Sequence, residues 1–191
     1  MRTFLSHLPR KTLAVAIVGV ATLVAATAAI AGNITATATV NGAGALGLSH
    51  GATAAIGTVT IDGTDQSVAY TVPLSITDAR GNGSGWNATI TSTSFNDGSG
   101  HSLATSASSV SAVSVACVAG GSCTSPTNAV TYALGVPAGS TAPSAVKLFS
   151  AASTTGMGRF TVTPTVNVNI PGNVYAGTYS STVTVAVASG P

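Results

Sequence analysis

FTVTPTVNVNI, residues 160–170, alternates without a break. Val162, Pro164, Val166, Val168 and Ile170 fall on one side, and Thr161, Thr163, Thr165, Asn167 and Asn169 on the other. A period of two puts successive side chains on opposite faces of a strand. One apolar and one polar face describe a strand with a buried side and a wet side, as antiparallel sheets require. SVAYTVPLSIT, residues 67–77, reads the same way, with Val68, Tyr70, Val72, Leu74 and Ile76 opposite Ala69, Thr71, Pro73, Ser75 and Thr77. Pro73 has no N–H to give, which marks an edge position or a bulge. Towards the C-terminus, YSSTVTVAV (179–187) sets Tyr179, Val183, Val185 and Val187 on one face.

Turn signals separate these runs: NGAG, DGTD, GNGSG, NDGSG, VPAGS and IPGN. Short strands between such turns predict an all-β fold, an antiparallel immunoglobulin-like β-sandwich, with a closed barrel as the alternative. The Ser-, Gly- and Ala-rich stretch 96–109 reads as a mobile surface loop. NITATATVNG (33–42) is either the first strand or a loose lead-in.

Arg2, Arg10 and Lys11 precede an uncharged apolar run that closes on Ala29-Ile30-Ala31. A basic start, an apolar stretch and small residues at its end predict a secretory signal helix over residues 1–31, cleaved after Ala31. The alternative is an uncleaved membrane anchor, because the run is long enough to span a bilayer. Residues 32–191 then form one domain, exported and, after cleavage, without membrane contact. Charged residues make up 5% of the chain and glutamate is absent, against an ordinary quarter or so. Beyond the leader, Arg80, Lys147 and Arg159 face Asp62, Asp65, Asp78 and Asp97, a balance of −1. Nucleic acid is not expected as a partner of such a surface.

Cys117 and Cys123 enclose VAGGS, which suits a local disulfide in an oxidising compartment; a two-cysteine metal site would need further ligands. His50 and His101 stand at no metal-ligand spacing and beside no nucleophile-elbow sequence. Asp62, Asp65 and Asp97 occupy turns, where aspartate bonds its own backbone. No cofactor, no metal and no enzymatic activity are expected. No Leu-Pro-x-Thr-Gly motif stands near the C-terminus, so any attachment to a wall is expected to be non-covalent.

SITDARGNGSGWNATITSTSF (75–95) joins an apolar strand, an Asp-x-Arg-Gly turn, a Gly-Trp step and a second strand. The close of the chain, YAGTYSSTVTVAVASGP (175–191), has an Ala-Gly-x-Tyr entry into its last strand, and FTVTPTVNVNIP precedes it. Together these resemble WxL cell-surface domains over most of residues 51–191. Trp86-Asn87-Ala88 stands where that family has Trp-x-Leu, and Val185-Ala186-Val187 replaces the second motif. The resemblance implies an extracellular β-sandwich on Gram-positive cells that associates non-covalently with peptidoglycan or with other surface proteins. Absence of the second tryptophan bears, on this reading, on wall affinity rather than on fold.

Asp78, Arg80, Trp86 and Asn87 are therefore the candidate wall or partner contacts. Trp86 has two readings. As a core side chain it caps the sandwich and buries on the order of 200 Å². As a surface platform it stacks on a sugar, with Arg80 or Asn87 bonding hydroxyls or carboxylates. Alternation from Trp86 through Ala88 to Ile90 favours burial. The alternative function rests on the low charge, which weakens repulsion between copies: a self-assembling fibre or surface-layer subunit whose lead-in completes a neighbour's sheet.

Overall fold

The computed structural model describes residues 35–42 and 44–191, so the leader expected over 1–31 lies outside the described residues. Residues Thr39–Pro191 form one compact unit. Its elements are β1 (Gly47–His50), β2 (Gln66–Thr71), β3 (Leu74–Asp78), β4 (Trp86–Thr93) and β5 (Ser108–Cys117), then β6 (Leu134–Gly135), β7 (Ala138–Gly139), β8 (Val146–Ala151), β9 (Gly158–Ile170) and β10 (Val183–Ser189). No helix occurs among the described residues.

Two sheets pack face to face. The first runs β1-β3-β9-β5-β6, with β2 also paired to β9; the second runs β10-β4-β7, with β8 also on β4. Every pairing is antiparallel except the short β4–β7 contact. The sheets remain separate, so the molecule is a sandwich and not a closed barrel. The lead-in 35–42 is exposed and forms no strand.

β9 is the spine. Phe160, Val162, Pro164, Val166 and Val168 are buried on its inner face, while Thr161, Thr163, Thr165 and Asn167 lie half-exposed on the other. β2 and β3 follow one another along the same edge of β9 without a change of register, Thr71 opposite Thr165 and Leu74 opposite Val162. The break between them has two prolines in it. Val72 N donates to Pro164 O at 3.2 Å, and Pro164 has no N–H to return the bond. Alternation points the nitrogen of Pro73 away from β9, towards the side where β1 pairs. The β1–β3 ladder accordingly stops at His50 opposite Leu74. From there residues 51–65 cross to β2 without strand structure, and no backbone–backbone hydrogen bond holds 52–59 among the described residues. Ile56 in this strap is half-buried and packs on the core.

The core is built around Trp86, Phe149 and Phe160, with Leu74, Ile76, Ile90, Leu148 and the β9 valines. Val183, Val185, Val187 and Tyr179 reach it from the last strand and its entry, half-buried as one face. The stretch 96–109, read as a mobile loop, is irregular only as far as 107, since Ser108 and Ser109 open β5, and it is pinned rather than loose. Phe95, Leu103 and Ala107 are buried, Leu103 N donates to Phe95 O at 2.9 Å, and Asn169 N donates to Ala107 O at 2.8 Å. Three apolar anchors outweigh the polar composition there.

Candidate binding surface

The turn between β3 and β4 closes one end of the sandwich. Gly81, Gly83 and Gly85 all hold positive φ, at 71°, 63° and 68°, a region that glycine enters without steric cost. Asp78 is 2% exposed at the end of β3. Arg80 grips it side-on: Nε donates to Oδ1 at 2.8 Å and Nη2 to Oδ2 at 2.9 Å. These bonds from the guanidinium hold the Asp78 carboxyl below its ordinary range and raise Arg80 in turn. The same Nη2 donates to Gly85 O at 2.7 Å, and Nη1 donates to Ser189 Oγ on β10. Asn87 Nδ2 donates to Gly190 O at 2.8 Å, and Gly190 N donates to Gly85 O at 3.1 Å. Arg80 thus spends its donors on Asp78, Gly85 and the last residue of β10, and Asn87 on the residue that follows it.

Trp86 is 0% exposed. Its ring stacks on Phe149 with centroids 5.3 Å apart and tilts against Phe160 at 6.2 Å. Nε1 donates to Gly156 O at 2.8 Å. Gly156 holds φ +71°, and a Cβ there would come within 2.7 Å of Trp86 Nε1. An indole with no exposed face cannot stack on a sugar; packing is its place. Ala88, where the resemblance implies leucine, lies opposite Val187, and Val185 lies opposite Ile90. Both departures from the family pattern therefore fall at positions facing the core, on neighbouring strands.

Cys117 and Cys123 form a disulfide, with Cα atoms 6.1 Å apart. It ties the end of β5, opposite Phe160, to the segment that packs against Gly158. Asp62 accepts from Thr64 N at 2.9 Å and from Thr64 Oγ1, and Asp65 accepts from Gly172 N at 2.9 Å. Both shape turns. No group of three or more metal-ligating side chains occurs among the described residues.

At the opposite end, beyond the close of β4, the sheets leave a cleft of about 560 Å³. Its floor includes Phe95, Leu103 and Val168; its walls are the strap, with Ile61, and the segment that carries Val174 and Tyr175. Tyr175 is 65% exposed. One face of its ring lies on His101, centroids 3.9 Å apart, and its carbonyl accepts from Tyr179 Oη at 3.0 Å. His101 Nδ1 meets Asp97 Oδ2 at 2.6 Å, and Asp97 Oδ1 also accepts from the N–H groups of Ser99 and His101. This ring of donors, the His101 bond first, pulls the Asp97 carboxyl down to about 2. Among the described residues no hydroxyl bonds His101 Nε2. A second cleft of about 430 Å³ lies on the other side of Ile56, between Tyr70 and the β10 valines. Motif reading singled out the Ala-Gly-x-Tyr stretch that begins at Tyr175 but missed the cleft, because the rest of its lining comes from separated segments that only the fold brings together.

No curated protein and no solved structure matches the chain. A family model described as a WxL domain, surface and cell-wall-binding, matches residues 25–191. That covers both the Trp86 turn and the C-terminal strand it holds. The chain belongs to the WxL family of cell-wall-binding surface domains.

Proposed function

We propose that this protein is exported, cleaved after Ala31 and held non-covalently at the cell surface by peptidoglycan, without enzymatic activity. The observation that carries the reading is family membership across residues 25–191. The distribution of surface chemistry supports a contact at the open end. The side-chain donors of Arg80, Trp86 and Asn87 are taken up within the protein, by Asp78, Gly85, Ser189, Gly156 and Gly190, whereas Tyr175 offers an exposed ring beside an apolar cleft. Incubating residues 32–191 with insoluble peptidoglycan tests it. Retention of the protein in the pellet is expected; protein left wholly in the supernatant sinks the reading.

Self-assembly is the second reading, and one observation favours it. The outer edge of β2 pairs with no strand among the described residues, and unpaired edges accept added strands. The exposed TATATV lead-in, 35–40, matches β2 in length. Light scattering behind size exclusion separates the two, since a monomer at millimolar concentration excludes assembly.

A further inference from the structure

The cleft at the open end has a chemistry of its own. Its volume, about 560 Å³, lies within the range of roughly 300–1,000 Å³ typical of small-ligand sites. No aspartate, lysine, arginine or histidine lines it. Asp97 stands directly behind Gly177 of the lining, but its carboxylate is already committed to His101 and to two backbone N–H groups. Cell-wall polymer offers two kinds of ligand: stem peptides that carry ammonium and carboxylate groups, and glycan chains of uncharged N-acetylated sugars. A charged peptide brought here would lose water and find no unpaired counter-charge in the lining. A sugar ring has an apolar face and a rim of hydroxyls, and its acetamide adds a methyl and one amide dipole.

The protein presents the complement to that pattern. Tyr175 is braced on one side by His101, so its ring is fixed and its other face is available for stacking. Ile61, Val168, Ile170 and Val174 supply an apolar recess for an acetyl methyl. Thr58 and Thr178 place hydroxyls at the cleft, and the Tyr175 hydroxyl has no partner among the described residues. We infer that the open end binds the N-acetylated glycan strand of the wall, with Tyr175 as the stacking platform. This rests on the wall-binding reading above, and names the ligand and the site within it.

The test uses soluble probes: a tetramer of N-acetylglucosamine, the matching deacetylated tetramer and a stem pentapeptide, each titrated into residues 32–191 and followed by amide NMR. The expected result is binding of the acetylated tetramer, with shifts confined to 56–61, 95–103 and 168–179. The deacetylated tetramer should bind at least tenfold more weakly, and the peptide should produce no shifts. Tyr175→Ala should weaken tetramer binding at least tenfold, and Tyr175→Phe less than threefold. Unaltered Trp86 emission shows that the variants are folded. Absence of tetramer binding, shifts elsewhere, preference for the peptide, or indifference to Tyr175→Ala each overturns the inference. So does a dimer that Tyr175→Ala dissolves while the tetramer fails to bind, which would make a second copy the occupant. Sacculus retention is scored separately: retention without tetramer binding removes the cleft and leaves wall association, and tetramer binding without retention does the reverse.

Discussion

Trp86 shows how one side chain can organise an end of a sandwich. It is the sole tryptophan, stacked on Phe149 and hydrogen-bonded to Gly156. Trp86→Ala removes the ring and orphans that carbonyl, so a loss of about 3–5 kcal/mol in a urea melt is expected. Trp86→Phe keeps the stack and loses the hydrogen bond, for about 1–2 kcal/mol. Gly156→Ala should destabilise for two reasons, a positive φ and a Cβ driven into the indole nitrogen. Because the ring is sealed, acrylamide should barely quench its emission in the native state, and peptidoglycan should leave it unshifted. The residues of this end were legible as a group, since Asp-x-Arg-Gly and Gly-Trp stand together in the chain. Alternation from Trp86 through Ala88 to Ile90 favoured an inward indole, and the ring is 0% exposed. What seals it was not legible, because Phe149 and Phe160 lie far along the sequence and join it only in the fold.

Among the elements, β10 depends most on a few polar atoms. It is an edge strand whose valines are only half-buried, and Arg80 and Asn87 hold its far end. Arg80→Ala would leave the Asp78 carboxylate buried without a counter-charge, at about 3 kcal/mol. Hydrogen exchange should then speed up first in 183–190. Arg80→Lys keeps the charge but not the fork, and should recover only part of the loss. Reducing Cys117–Cys123 releases a loop of only six residues' separation, so a cost of about 2 kcal/mol or less is expected, with the sandwich intact. Strands were readable where alternation was unbroken, as in β9. They were obscure where a bulge shifts the period. In β5 the register slips between Val110 and Ala112, so Val110, Val113 and Val115 face the core at a spacing no simple template expects. In β8 a slip opposite Ala88 and Thr89 leaves Leu148 and Phe149 both buried.

At the scale of the whole molecule, scarcity of charge governs the response to solution conditions. Asp78 and Asp97 both titrate below the ordinary carboxylate range, Asp97 at about 2. A folded-state pKa below the unfolded one means stability that is fully present above about pH 4 and is lost as pH falls through the folded value. Thermal melts should therefore hold steady near neutrality and decline between about pH 4 and 2. Asp97→Asn should flatten that decline. With no charged side chain in the cleft, retention on the wall should change little between roughly 0.05 and 1 M salt. The strap carries a different consequence. Its peptide groups at 52–59 make no backbone–backbone bonds among the described residues, so within the sandwich, beyond the exposed lead-in, an enzyme of broad specificity will find its first scissile bond there. The nicked chain should show two bands on a denaturing gel yet elute as one particle, because β1 remains laddered to β3 after the cut.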